Sequence, residues 1–174
     1  MLSANVYVDI YRDFLTQETL FCKTLSESKD LVCVTKYNDH GEYDGISIIY
    51  KSDITRLRLG GTERNMIERL IARQSHPLKL PHVRVGTLES TIRIVNKMFN
   101  HVTLYLERMD SDVCFIGELQ SIDQTHVFLR EYGSAQQGLD RSQILLPLEL
   151  ITRIEADGKY ERDLLFLHKQ TDKQ

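Results

Sequence analysis

The feature that most constrains the fold of this 174-residue chain is that its sequence resembles itself. When Phe21 is aligned with Phe115, the apolar positions of two segments fall into one register. The other pairs at this offset are Val8 with Val102, Ile10 with Leu104, Tyr11 with Tyr105, Leu25 with Leu119, and Val34 with Phe128. This order of matches indicates two tandem copies of one small module. The alternative, a chance match between two β-meanders, stays open at this point.

A short motif extends the repeat toward the end of each copy. The tripeptide Ile-Thr-Arg occurs at 54–56 and again at 151–153, at an offset three residues larger than that of the first matches. The second copy should therefore carry a longer loop, and Gly and Asp predict turns in both loops, 37–45 and 131–142. After each tripeptide comes a turn and then apolar residues at helical spacing.

Each copy reads as five short strands followed by a helix, because its segments alternate in polarity and are rich in β-branched residues. The predicted strands are 5–11, 19–26, 30–37, 45–51 and 53–59, then 101–107, 113–122, 125–132, 143–148 and 150–156. Residues 87–98 predict a further helix, capped by Thr87 or Ser90. Pro147 should lie at an edge or bend. The fold class expected is mainly β with flanking helices, as two tandem five-stranded barrels, since closure hides strand edges.

Charge divides the chain into three parts. Residues 1–75 form the first barrel with its C-terminal helix, 76–97 form a basic linker with a helix, and 98–174 form the second barrel with its C-terminal helix. The chain carries a net charge of -3, and its basic surplus is confined to the middle segment. Such a stretch can contact phosphates, but linkers are also charged to stay solvated.

The second copy resembles a known family, the Sm/Lsm-like proteins. Residues 115–129 are similar to the first Sm motif and residues 146–154 to the second. The matching positions are Gly117, Leu119, Ile122 and Asp123, then Ile151 and Ile154. The resemblance implies two small Sm-like barrels of the SH3 type, each with five strands, and an association through edge strands. Other SH3-like barrels share much of this pattern.

The residues with which RNA-binding Sm-like proteins hold bases are largely absent. The family uses a polar residue after the Asp of the first motif and an Arg-Gly pair in the second. Here His126 and Val127 follow Asp123, and Pro147-Leu148 replaces Arg-Gly. The first copy has Lys51-Ser52 at that place, and Lys23 stands where the motif Gly is expected. The resemblance thus implies a fold, while RNA-base binding is not carried over, except through Lys51.

The sequence predicts no catalytic, cofactor or metal residues, so the chain is not expected to be an enzyme. The polar groups considered were Asp39, His40, Glu42 and Asp44 for a hard cation, and His76, His82 and His101 for zinc. A solvated hairpin tip and a solvated linker explain them better. Cys33 reads as a buried strand residue. Tyr37, Tyr43 and Tyr50, with Lys36 and Lys51 among them, either stack single-stranded bases or are ordinary strand residues.

These observations favour a non-catalytic binding or regulatory module that mediates protein–protein assembly, with a protein partner or through self-association. The alternative is an RNA-associated regulator that binds weakly through the first barrel and the basic linker. The candidate contact residues for either partner are Lys51, Arg56, Arg58, Arg73, Lys79 and Arg84. No small-molecule substrate, signal peptide or membrane span is expected. Three cysteines without paired spacing suit a reduced, cytoplasmic compartment.

Overall fold

The computed structural model describes residues 6–74, 79–133 and 141–171. In this part of the chain the protein is mainly β, with ten strands and three helices, as the sequence predicts. The first half holds β1 (Tyr7–Tyr11), β2 (Thr19–Glu27), β3 (Leu31–Tyr37), β4 (Tyr43–Tyr50), a 3-10 helix (Lys51–Asp53), β5 (Arg56–Arg58) and α1 (Thr62–Arg73). The predicted strand residue Asn5, His76 and the loop residues 134–140 lie outside the described ranges.

The second half begins with the helix that the sequence predicts between the copies. It holds α2 (Leu88–Phe99), β6 (Val102–Tyr105), β7 (Cys114–Ile122), β8 (His126–Glu131), β9 (Gln143–Pro147), a 3-10 helix (Leu148–Leu150), β10 (Arg153–Ala156) and α3 (Lys159–Thr171). The Thr87 side chain caps α2 by accepting a hydrogen bond from the Ser90 backbone N–H at 3.2 Å, which confirms one of the two predicted caps. Neither 3-10 helix is predicted by the sequence pattern.

All ten strands belong to one antiparallel sheet. Its order is β5-β1-β2-β3-β4-β10-β6-β7-β8-β9, and it does not close on itself. The expectation of two closed barrels is therefore not confirmed by the hydrogen-bonded ladder. The reason lies in β4 and β10, which pair across the two halves through Ile49–Arg153, Ile48–Ile154, Ser47–Glu155 and Ile46–Ala156. We call this pairing the inner joint.

The two halves repeat one strand order and one register. β5-β1-β2-β3-β4 in the first half corresponds to β10-β6-β7-β8-β9 in the second. Ile10 pairs with Leu57 as Leu104 pairs with Ile154, and the pairs between the second, third and fourth strands also correspond. A residue of the first half and a residue of the second half are equivalent when they occupy the same position in this strand order and register. The strand pairings of the two halves thus follow the same order and register.

One part of the predicted alignment is wrong by a single residue. The loop between β6 and β7 (106–113) is one residue longer than the loop between β1 and β2 (12–18), so the offset grows before the second strand. Val34 is therefore equivalent to Leu129 rather than Phe128, and Leu25 is not equivalent to Leu119. Cys22, not Lys23, is equivalent to Gly117, because each lies opposite a buried valine of the first strand.

Strands β3 and β4 are buried on both faces, which explains their nearly continuous apolar sequence. On one face Val32, Val34 and Ile49 pack in the core of the first half. On the other face Cys33 and Ile48 pack in the core of the second half, together with α2. The two cores therefore lie on opposite faces of β3 and β4. Hydrophobic burial on both faces stabilises the inner joint.

The equivalent isoleucines after the 3-10 helices differ in burial. Ile151 is fully buried, whereas Ile54 is only half-buried against the first core. We expect Ile151→Ala to lower the free energy of unfolding by about 2–5 kcal/mol, because it leaves a cavity. Ile54→Ala should cost less and serves as the matched control. Urea denaturation measures both, and a loss below about 1 kcal/mol for Ile151→Ala contradicts the assigned packing.

Candidate protein-interaction site

A buried ion pair between the two halves lies next to the inner joint. Arg12, which follows β1, donates two hydrogen bonds to Glu107, which follows β6, at 2.5 and 2.7 Å. Their side chains are 1% and 0% exposed, so each charge depends on the other. Burial by itself would raise the pKa of Glu107. The hydrogen bonds from Arg12 and the charges of Arg153 and Arg12 outweigh it, and the pKa of Glu107 is lowered.

Arg153 of β10 extends this ion pair into a network. Its guanidinium lies 3.1 Å from Glu107 and 2.5 Å from Glu18, and it stacks 3.8 Å from the centre of the Tyr105 ring. Burial opposes its charge, but the neighbouring carboxylates outweigh burial and raise the pKa of Arg153. At the same joint Lys36 of β3 pairs with Glu155 of β10 at 2.6 Å. Charges of both signs thus join the two halves.

Each half carries the same side-chain arrangement at the start of its fifth strand. In the first half the Thr55 hydroxyl bonds to Asp13, Arg56 donates two hydrogen bonds to Asp13, and Arg56 stacks on Tyr11. The equivalent group in the second half consists of Thr152, Glu107, Arg153 and Tyr105. The first group is exposed, whereas the second is buried in the inner joint. The same chemistry therefore occurs once inside the molecule and once at its surface.

The ends of the sheet leave two strands with one neighbour each. These strands are β5 and β9, the equivalents of the two strands that form the inner joint. Leu57 of β5 is 45% exposed and Leu145 of β9 is 59% exposed. Their equivalents, Ile154 and Ile48, face each other in the inner joint and are almost fully buried. The two open edges thus present the apolar residues that the inner joint covers.

Three of the six predicted contact residues lie next to carboxylates or aromatic rings. Lys51 is 2.8 Å from Glu27, and Arg56 is held by Asp13. Arg58 lies over the same Tyr11 ring as Arg56, so the structure brings these two arginines together at the β5 edge. Arg64 of α1 donates to the Arg58 carbonyl at 2.9 Å and so anchors the helix to this strand.

The other three predicted contact residues, Arg73, Lys79 and Arg84, are exposed. Arg73 ends α1 and lines an open groove with Asp44 and Arg162. Lys79 and Arg84 lie in the irregular segment before α2. The charges that join the two halves, above all Arg12 and Glu107, were not singled out by the sequence. One feature of the sequence could have pointed to these charges, because Arg12-Asp13 and Leu106-Glu107 directly follow the matched tyrosines of the two copies.

Three of the polar groups that could bind a metal ion have other partners. Asp44 accepts a hydrogen bond from the Lys159 backbone N–H at the start of α3, and Glu42 accepts one from Asn38. His101 is buried between the Phe99 carbonyl and the Asp157 N–H, and burial lowers its pKa. Within the described residues, no group of three or more His, Cys, Asp or Glu side chains could hold a metal ion.

The side chains of Cys33 and Tyr37 are packed against other groups of the protein. Cys33 is fully buried, as predicted, and desolvation raises its pKa to about 12, which disfavours the reactive thiolate. Tyr37 packs edge-on against Tyr43 and Tyr7, in a row with Phe21. These rings therefore contact one another.

Comparison with protein-family models, with curated proteins and with solved structures finds no match. In the ranges that the structure covers, every helix is too short or too polar to cross a membrane. The class that the observations define is a mainly-β protein with one open antiparallel sheet whose two halves repeat a register.

Proposed function

We propose that this protein is a non-catalytic assembly module that binds a protein partner at the open edges of its sheet. The observation that carries the proposal is the exposure of Leu57 and Leu145 at the places where the inner joint buries Ile154 and Ile48. An unpaired edge strand offers backbone donors and acceptors to a partner strand, and neighbouring side chains set the specificity. The inner joint is itself an example of such binding within one chain.

We further propose that each half curls into a small barrel of the Sm or SH3 type. Strands β4 and β5 are at opposite ends of one five-strand segment, yet residues 51–55 alone connect them. Four spacings of a flat sheet would separate these strands by about 19 Å. A linker with three residues in a 3-10 helix spans at most about 16 Å. Residues 148–152 set the same limit in the second half.

RNA binding is the competing proposal, and the charges argue against it. Lys51 and Arg56 are already neutralised by carboxylates. We expect no submicromolar binding of U-rich or A-rich oligonucleotides at about 0.15 M salt, because affinity for phosphates rests on free, clustered cations. Fluorescence anisotropy measures this. Tight binding that Arg56→Glu weakens would instead support the RNA-associated regulator.

The assembly proposal is tested by capture from the source cells with an edge-blocked bait. The baits are the unaltered chain, the double variant Leu57→Glu with Leu145→Glu, and the control Met109→Glu on the β6–β7 loop, where the side chain is 67% exposed. Proteins that bind at the edges should co-purify with the unaltered chain and the control, survive ribonuclease, and be lost with the double variant. Proteins retained equally by all three baits would contradict the proposal.

A further inference from the structure

We infer that the first half carries a binding pocket for a small zwitterion with the chemistry of a free amino acid, between β1 and the N-terminus of α1. This site goes beyond the assembly function proposed above and does not depend on it. The pocket has a volume of about 390 Å³, which is within the range of small-molecule sites. Asp9, Tyr11 and Phe21 line it from the sheet, and Arg64 and Ile67 line it from α1.

Asp9 provides the negative charge of the pocket. Its neighbours Val8 and Ile10 pack in the core of the first half, so alternation along β1 places Asp9 on the opposite face, which lines the pocket. Asp9 is only 8% exposed, yet within the described parts of the chain its carboxylate accepts no hydrogen bond and forms no ion pair. Burial raises the pKa of Asp9, and the charges of Arg64 and Arg58 offset only part of this effect. A buried carboxylate without a hydrogen bond lowers stability, which is typical of a residue that serves a ligand.

The second half shows how the same place is closed without a ligand. Asp9 is equivalent to Thr103, and Arg64 and Glu161 lie equally far along the chain from the strand residues that pair with Asp9 and Thr103. The Thr103 hydroxyl donates a hydrogen bond to Glu161 at 3.0 Å, and both side chains are buried. In the first half Arg64 instead donates to a carbonyl of β5 at 2.9 Å and to a carboxylate of its own helix at 3.1 Å. The opposite charges of Asp9 and Arg64 therefore face one pocket without forming a pair.

The N-terminus of α1 adds a second group that favours an anion in this pocket. Gly61 caps α1 without a side-chain hydrogen bond, and a Cβ atom at Gly60 or Gly61 would meet no described atom within 4 Å. The first backbone N–H groups of a helix are free to bind an acceptor, and the helix dipole favours a negative charge there. At the start of α3, Asp44 fills this role by accepting a hydrogen bond from the Lys159 backbone N–H at 2.9 Å. A carboxylate bound at α1 would do the same.

The charges of the lining select a zwitterion over a simple ion. Within the described residues no group of three or more His, Cys, Asp or Glu side chains could hold a metal ion. A simple anion would leave Asp9 without a partner, and a simple amine would not use Arg64 or the N-terminus of α1. An amino acid serves both ends, because its ammonium group donates to Asp9 and its carboxylate accepts from Arg64 and the helix. Such charge-assisted hydrogen bonds are the strong ones, and the guanidinium retains N–H groups for them.

Isothermal titration calorimetry of the exhaustively dialysed full-length chain tests the pocket, with each of the standard amino acids as a probe. At least one of them should bind at millimolar concentration or below. Ethylamine and acetate carry only one of the two charges, so each should bind at least about tenfold more weakly than that amino acid.

Substitution of Asp9 assigns the binding to this pocket. Asp9→Asn keeps the size of the side chain and should weaken the binding about tenfold to a hundredfold, because a charge-assisted hydrogen bond is lost. It should also raise the urea midpoint, since the fold no longer buries an unpaired carboxylate. The double variant Asp9→Thr with Arg64→Glu copies the closed arrangement of the second half and should abolish binding. Asp30→Asn, an exposed change in the turn between β2 and β3, is the control and should bind like the unaltered chain.

Three results would overturn the inference. The first is that none of the standard amino acids binds at millimolar concentration. The second is that acetate binds as tightly as the amino acids and that Asp9→Asn leaves its affinity unchanged, which would reduce the site to an anion at a helix N-terminus. The third is that Asp9→Asn lowers the urea midpoint and leaves amino-acid binding intact, which would make Asp9 a residue of the fold alone.

Discussion

Replacing Glu107 with Gln should lower the free energy of unfolding by about 3–5 kcal/mol near neutral pH. The substitution keeps the size of the side chain but leaves Arg12 and Arg153 buried next to a neutral amide. A buried charge without its partner retains the full cost of desolvation, which explains the large effect. Glu89→Gln is the control, because the Glu89–Arg93 pair is exposed and should contribute less than about 0.5 kcal/mol.

Acid titration gives a second measure of the same carboxylate. Because the pKa of Glu107 is lowered in the folded protein, its stabilisation is complete above the ordinary carboxylate pKa and is lost as the pH falls toward the folded value. Glu107→Gln should therefore flatten the loss of stability in the acid range. Equal urea midpoints for Glu107→Gln and Glu89→Gln near neutral pH would contradict the buried ion pair.

Replacing Gly45 with Ala should cost about 2–5 kcal/mol, the second large effect we expect. Gly45 lies in β4 with a φ of +87°, where a side chain is strained. A Cβ atom there would also meet the Ala156 carbonyl and lie 2.5 Å from the Gly158 backbone nitrogen. Both neighbours are backbone atoms of the second half and cannot rotate away, so the substitution should push the two halves apart.

Gly60→Ala separates the backbone strain from the steric clash, the two reasons why Gly45→Ala should be destabilising. Gly60 has a similar φ of +82°, but a Cβ atom there would have no neighbour within 4 Å. This control should lose only the backbone contribution, about 1–2 kcal/mol. Thermal or urea unfolding of both variants measures the difference, which reports the close approach of β4 to the turn before α3. Equal losses would show that the inner joint tolerates a methyl group.

The strands and helices could be predicted because each follows a local pattern. Alternation in β1 and helical spacing in α1 depend only on neighbours along the chain. The register could not be predicted to the residue, because one additional position between β6 and β7 shifts every later match. Leu25 and Leu119 illustrate this error, since both are leucines and the alignment that pairs them looks correct.

The buried charges next to the inner joint could not be predicted from local patterns. Arg12 and Glu107 are 95 positions apart, and one directly follows a predicted strand whereas the other is the last residue of one, so nothing in the local sequence indicates that they are buried. Their burial follows only when β4 and β10 pair and bring the ends of β1 and β6 together. The sequence of β4 did contain one indication. Residues 46–49 are apolar except for Ser47, so both faces of the strand carry apolar side chains. A strand buried on both faces requires a cover on each side, and a small barrel on its own covers only the face that points to its interior.

The pairing of β4 with β10 has a consequence for how the chain is made. Ile46 and Ile48 leave the ribosome long before residues 153–156, which cover them. At about 5–20 residues per second, synthesis of the roughly 100 intervening residues takes about 5–20 s. Throughout that interval a nascent chain carries an open apolar strand, and neighbouring nascent chains on one message carry the same strand. Wrong pairing should therefore be most frequent during translation, and slower elongation between the two halves should increase it.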